Sequence, residues 1–219
     1  MPSFETLLIA ALLLGAVLGG LGLFAVLRRT PESPAIQAVG RGDFEAALAA
    51  ARTGRGAGRD ELFAAAVAAK HRLRLDEARK LLARILAADP SDGEAWLESG
   101  LAAAYAGDLA EAERALGEAA ARRSDLAESI TLHRAWLELR KGDLRNARHL
   151  FDDVETSLEN KLRTDLGSGE PLFAEWFLQA AELWAALGDT ERAEWALREG
   201  RASAPGSRLP EVLSERSGS

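Results

Sequence analysis

The stretch that decides the fold is AGDLAEAERAL, residues 106–116, because nearly the same phrase returns along the chain. Its Gly-Asp pair recurs as GDFEAAL from Gly42, GDLRNAR from Gly142 and GDTERAEWAL from Gly188, each time with an alanine five residues after the glycine. A degenerate copy, LRLDEAR from Leu73, has lost the glycine, and successive copies are spaced by 31, 34, 35 and 46 residues. A period near 34 in an alanine-rich chain predicts stacked helix–turn–helix units.

Each residue type in the phrase has a physical role at the turn between two helices. Glycine enters the left-handed conformation at low cost, so it ends the first helix. The aspartate after it can accept a backbone N–H and begin the next helix. The alanine then lies where two helices cross closely, because a larger side chain would push them apart.

The units also carry a spaced set of larger residues. Around the turn at Gly107, Trp96, Gly100, Ala112 and Ala119 follow one another at intervals of 4, 12 and 7 residues. The last unit repeats the pattern with Phe177, Ala181, Trp184, Gly188, Ala193 and Pro205. In these features the chain resembles the tetratricopeptide repeat (TPR) family, over roughly Ser33 to Ser207, and within it the membrane-anchored bacterial members. The resemblance implies an all-α fold, an α-solenoid of about four to five helix pairs, and says little about function because this scaffold serves many partners.

Two departures from the pattern carry structural predictions. The first unit is a stub that begins near Pro34 and ends at TGRGAG, residues 53–58, so we expect it to cap the stack. The last spacing exceeds 34 by 12 residues, which predicts an insertion near 159–173. We expect a lengthened helix from Asp143 to about Leu166 and then a loop, which either covers one end of a groove or is a tolerated surface loop.

The N-terminal segment has a different composition. The run from Thr6 to Leu27 has no charge over 22 residues, enough for a helix to cross a hydrocarbon core of about 30 Å. Arg28 and Arg29 follow it directly, and positive residues favour the cytoplasmic side. The sequence therefore predicts a single-pass protein of the inner (cell) membrane, with its repeats in the cytoplasm.

One face of the predicted anchor carries small residues. Ala11, Gly15 and Gly19 recur every four residues, a spacing that lets another transmembrane helix approach closely. The alternative is that small residues are simply common in such helices. The domain prediction is thus an anchor at 1–30, a linker and capping half-repeat at 31–58, the repeat solenoid at 59–207 and a disordered tail at 208–219.

Composition and motifs argue against several classes of function. A net charge of -7 and a pI near 5.2 argue against nucleic-acid binding, which normally needs a basic face. The chain has no cysteine, and His71, His133 and His149 lie far apart without a ligand spacing. We expect no enzyme activity, no metal and no cofactor, because neither a phosphate-binding loop nor a nucleophile motif is present.

The resemblance implies a partner-binding groove lined by the first helix of each pair. Carried over by position, its lining comprises Phe63, Val67, Lys70, His71, Leu97, Leu101, Tyr105, Leu132, Trp136, Arg140, Leu178 and Glu182. Such an apolar and aromatic lining suits an amphipathic or extended peptide. Tyr105 and Trp136 could instead belong to the core.

Three functions remain open from the sequence. The first is a membrane-tethered adaptor that binds a partner polypeptide in the groove. The second is a structural accessory subunit of a membrane complex, packed through its transmembrane helix. The third reverses the topology and makes the repeats a periplasm-facing assembly factor or chaperone.

Overall fold

Short helices joined by tight turns account for the regular structure of the described chain. The computed structural model describes residues 33–53, 58–164 and 171–214, and within these ranges all regular secondary structure is helical, without a strand. The α-helices are α1 Pro34–Gly40, α2 Phe44–Thr53, α3 Arg59–His71, α4 Leu75–Ala88, α5 Gly93–Ala106, α6 Leu109–Arg122, α7 Ala127–Lys141, α8 Leu144–Asp152, α9 Glu155–Thr164, α10 Pro171–Ala186, α11 Thr190–Ser203 and α12 Leu209–Ser214. A 3₁₀ turn at Ser124–Leu126 precedes α7. The all-α prediction is confirmed.

The turns within the helix pairs have the predicted backbone geometry. Gly42, Gly107, Gly142 and Gly188 have φ values of 71°, 83°, 86° and 89°, the left-handed region that favours glycine. The degenerate copy makes the same turn with Leu73, at φ 57°. Each aspartate after a turn glycine accepts the backbone N–H three residues on, as in the 3.0 Å bonds from Asn146 to Asp143 and from Arg192 to Asp189.

The alanine that follows each turn lies at a helix crossing. Ala47, Ala78, Ala112 and Ala147 are fully buried, and Ala193 is 8% exposed. Small residues at these five places let the two helices of a pair pack closely. The repeated phrase therefore encodes a stack of helix pairs, as predicted.

Two glycines in the third pair test this packing. A Cβ on Gly100 would lie 3.0 Å from Leu116 Cγ and 3.3 Å from the Ala112 carbonyl oxygen, whereas a Cβ on Gly117 would meet nothing within 4 Å. We expect Gly100→Ala to lower the free energy of unfolding by about 1–3 kcal/mol through overpacking. Gly117→Ala, the matched control on the open side of α6, should raise it by about 0.5–1 kcal/mol. Urea unfolding checks both, and equal effects of the two substitutions would contradict the packing.

The first and second helices of each pair differ in burial. In the second helices α4, α6, α8 and α11 the buried residues form a single stripe, as with Ala78, Leu82 and Ile85 in α4. The first helices are buried on several sides; in α3 every residue from Ala64 to His71 is buried. A helix that is apolar on all sides belongs in an interior. The first helices therefore form the inside of the stack and the second helices its outer layer.

The insertion between the fourth and fifth pairs is a packed helix. The predicted continuous helix from Asp143 to about Leu166 is wrong, because α8 ends at Asp152 and the separate helix α9 follows. In α9, Leu158 and Leu162 are buried. Its acidic groups meet the fifth pair, since Arg192 of α11 lies 2.7 Å from Glu155. Helix α9 is thus part of the core, whereas the loop predicted after about Leu166 lies outside the described residues.

The two ends of the described chain meet, which the prediction of a capping stub and a disordered tail did not include. A Cβ on Gly206 would lie 2.6 Å from the carbonyl oxygen of Gly42. The backbone N–H of Arg208 donates to the His71 carbonyl at 2.7 Å, and the Phe44 ring stacks on the His71 ring at 4.4 Å. The tail from residue 208 begins as helix α12, whose Leu209 is fully buried, so its prediction as disordered is wrong over Leu209–Ser214.

The predicted anchor lies outside the described residues. No helix within the described ranges is both long and apolar enough to cross a bilayer. Thr6 to Leu27, with Ala11, Gly15 and Gly19, precede those ranges. The anchor and its small-residue face stay predictions.

Candidate functional site

The predicted groove residues lie mainly inside the stack. Eight of the twelve are buried: Val67, Lys70, His71, Leu101, Tyr105, Leu132, Trp136 and Leu178. The other four, Phe63, Leu97, Arg140 and Glu182, are partly buried. The expectation of an open lining is therefore corrected, because the first helices that were predicted to line the groove contact one another. That these residues bind a partner stays a prediction.

The contact between the walls is polar and centred on one lysine. Lys70 Nζ of α3 lies 2.7 Å from Glu98 Oε2 of α5 and 2.5 Å from Glu175 Oε2 of α10. The Lys70 side chain is 1% exposed. Charged side chains are rarely buried unless they are paired, and here one ammonium lies between two carboxylates.

Two further contacts link α7 to α10. His133 Nδ1 lies 2.6 Å from Gln179 Oε1, and its Nε2 lies 3.1 Å from Ser129 Oγ. One step further along α10, the indole N–H of Trp136 donates to Glu182 Oε2. We call the residues that join α3, α5, α7 and α10 in this way the inner cluster: Lys70, Glu98, Tyr105, Ser129, His133, Trp136, Glu175, Gln179 and Glu182.

Burial and charge shift the pKa values within the inner cluster. Burial lowers the pKa of Lys70, but the carboxylates of Glu175 and Glu98 outweigh it, so the net pKa is raised and the ammonium persists. Burial raises the pKa of Glu98, and the Lys70 charge opposes that shift. Burial also lowers the pKa of His133 to about 4, with Lys70 adding to the effect and the Gln179 hydrogen bond opposing it. His133 is therefore neutral in the folded chain at pH 7.

The depressed pKa of His133 predicts a loss of stability in acid. Between its unfolded pKa of about 6.5 and the folded value of about 4, the unfolded chain binds a proton that the folded chain does not. The stabilising contribution is complete above pH 6.5 and is lost as the pH falls, by up to about 1.4 kcal/mol per pH unit. We expect His133→Gln to flatten the pH dependence of the free energy of unfolding between pH 7 and 5. His149→Gln, at a side chain 77% exposed, is the control, and an equal effect would contradict this.

Five residues of the inner cluster lie outside the twelve predicted lining residues. They are buried polar residues on first helices: Glu98, Ser129, His133, Glu175 and Gln179. A local signal existed for the burial, because the run AAAVAA before Lys70 leaves α3 without a polar face. The pairing of Lys70 with Glu175, across 105 residues, has no local signal.

Other features of the described chain do not form a competing site. Two surface depressions of about 600 and 430 Å³ flank α9. Their linings are mainly polar and charged, with Trp184 and Leu187 in the second, and include none of the predicted groove residues. In the described ranges no group of three or more His, Asp or Glu side chains is placed to hold a metal ion.

Comparison with known proteins does not narrow the function further. No family model matches the chain, and no curated protein is similar enough in sequence to count as a relative.

Proposed function

We propose that the chain is a membrane-tethered scaffold of TPR-like helix pairs that binds a partner polypeptide through the faces of its first helices. The left-handed turn glycines and the buried alanine five residues after each of them support the relation to TPR repeats, because the resemblance places a turn glycine and a small residue at these positions.

The observation that carries the proposal is the inner cluster. Aromatic and charged side chains of three successive units, such as Lys70, Tyr105 and Trp136, converge on one face of the helix α10. Aromatic anchors with charged partners are typical of surfaces that bind a helix. The faces predicted to receive a partner thus have the chemistry of a helix-binding site, and a helix of the same chain occupies them.

The tether is proposed from the sequence. The uncharged run from Thr6 to Leu27 is long enough for a membrane span, and the arginines after it favour a cytoplasmic stack. Reporter fusions at Ser219 test the topology. Reporter activity in the periplasm would support the third function, a periplasm-facing assembly factor or chaperone.

A second candidate is favoured by the contact between the groove walls. Eight of the twelve predicted lining residues are buried, as they would be in an accessory subunit that never opens. Such a subunit would bind its complex through the small-residue face of the anchor, at Gly15 and Gly19. The scaffold would therefore bind its partner through the first helices, whereas the accessory subunit would bind through the anchor.

The test is crosslinking in intact membranes, with capture of the full-length chain and identification of its partners. Phe63→Ala with Leu97→Ala changes partly buried groove positions without removing a fully buried side chain. Leu81→Ala with Leu86→Ala, also partly buried but on the outer helix α4, is the matched control. Gly15→Leu with Gly19→Leu changes the anchor.

The scaffold proposal requires that a specific partner is lost with the Phe63 and Leu97 changes and kept with the control. If the partner is lost only with the glycine changes, the accessory subunit is correct instead. If the Phe63 and Leu97 changes lose no partner, the scaffold proposal fails.

A further inference from the structure

One face of α10 reaches three earlier units of the stack. Glu175, Gln179 and Glu182 follow one another at i, i+4 and i+7, and they contact Lys70, His133 and Trp136 respectively. Leu178, between them, is fully buried in the same apolar cluster as Tyr105, Leu132 and Trp136. This face of α10 thus covers the surface that the earlier units would present to a partner.

The two sides of this contact have complementary hydrogen-bonding chemistry. The earlier units supply donors, namely the Lys70 ammonium, the Trp136 indole N–H and the Arg140 guanidinium, which lies 3.9 Å from Glu182. The helix α10 supplies acceptors, two carboxylates and an amide oxygen. Charge-assisted pairs of this kind select for an acidic helix.

The contact is incompletely satisfied on both sides. The hydroxyl of Tyr105 lies beside Glu175 and Gln179 but makes no hydrogen bond of good geometry with either. Glu175 Oε1 and Gln179 Nε2 are likewise buried without a hydrogen-bond partner. Lys70 also serves a second carboxylate, Glu98, so one ammonium is shared between α5 and α10.

We propose that α10 is an internal competitor for the helix-binding surface and that the partner is an acidic amphipathic helix of the same pattern. That pattern places a carboxylate at i, an apolar residue at i+3, an amide at i+4 and a carboxylate at i+7. Binding of the partner displaces α10 from Lys70, His133 and Trp136. The inference rests on the proposed function, because it specifies the occupant of the same surface.

The test uses the full chain in detergent and a labelled peptide with the sequence of α10, Pro171–Ala186, capped at both ends. In the wild-type chain α10 itself occupies the surface, so only molecules in which α10 is displaced can bind the peptide. Because these molecules are a small fraction of the total, the apparent affinity for the peptide is much lower than the intrinsic affinity. Glu175→Gln with Glu182→Gln weakens the internal copy while leaving Lys70 paired with Glu98. We expect this variant to bind the peptide at least about tenfold tighter than wild type by fluorescence anisotropy.

Three controls make the result specific. Glu191→Gln with Glu194→Gln, at exposed positions of α11, should leave the affinity unchanged. A peptide with both of its glutamates replaced by glutamine should bind the Glu175→Gln, Glu182→Gln variant no tighter than it binds wild type. Addition of Lys70→Met to that variant should likewise abolish the tighter binding of the α10 peptide. Circular dichroism and sedimentation of each variant show whether the helical fold is retained.

A second measurement does not depend on variants. In the wild-type chain, saturating peptide should accelerate hydrogen exchange of the α10 amides while leaving those of α6 unchanged. The inference is overturned if a folded Glu175→Gln, Glu182→Gln variant binds the peptide no tighter than wild type, or if α10 keeps its protection when the peptide is bound. If it is overturned while the Phe63 and Leu97 changes still lose the membrane partner, the scaffold proposal stands with a different occupant.

Discussion

Lys70→Met should lower the free energy of unfolding by about 3–5 kcal/mol, because it removes one partner of a buried ion pair and leaves two buried carboxylates facing each other. Both Glu98 and Glu175 depend on this ammonium, at 2.7 and 2.5 Å. Methionine keeps the length of the side chain, so the loss reports charge more than volume. Urea unfolding at pH 7 measures it.

The control for Lys70→Met is Lys80→Met, an exposed position on the outer helix α4. That change should stay within about 0.5 kcal/mol of wild type. Addition of Glu98→Gln and Glu175→Gln to Lys70→Met removes the unpaired charges and should recover part of the loss. A Lys70→Met protein as stable as the Lys80→Met protein would show that the three side chains do not form a buried ion pair.

Trp136→Ala should lower the free energy of unfolding by about 3–5 kcal/mol through the cavity that it leaves. The Trp136 side chain is fully buried, its ring lies 4.9 Å from the Tyr105 ring, and its indole N–H binds Glu182. The substitution therefore removes apolar contacts and a hydrogen-bond donor together. Thermal and urea unfolding both measure the effect.

Trp136→Phe separates the two parts of this effect, because it keeps an aromatic ring and removes the indole N–H. We expect a smaller loss than for alanine, with the remainder reporting the bond to Glu182. On an open groove wall, Trp136→Ala would change stability little and partner binding strongly. If Trp136→Ala lowered the free energy of unfolding by less than about 0.5 kcal/mol, Trp136 would lie on an open groove surface, as the sequence predicted.

The local features of the fold could be predicted because each depends on neighbouring residues. The left-handed turn at Gly107 and the Asp108 side chain that accepts the Glu111 N–H both follow from one short phrase. The buried Ala112 follows from the same phrase. Backbone geometry and capping act within a few residues, so the repeated sequence reports them directly.

The curvature of the stack could not be predicted in the same way. A row of helix pairs leaves an open groove or closes on itself according to small differences in packing angle, which the repeat phrase does not encode. The alanine-rich helices α3 and α5 permit close approach, yet the contact of Lys70 with Glu175 depends on residues 105 positions apart. The groove prediction therefore identified residues that meet on one face and was wrong about their exposure.

The meeting of the two chain ends alters how the stack should come apart. In an open row each unit contacts only its neighbours, so terminal units can fray one at a time. Here His71 binds Ser207 across 136 residues, so either end loses support when the other melts. Unfolding should accordingly be cooperative over the whole array, and refolding should be slow for a helical chain because a long loop must close first.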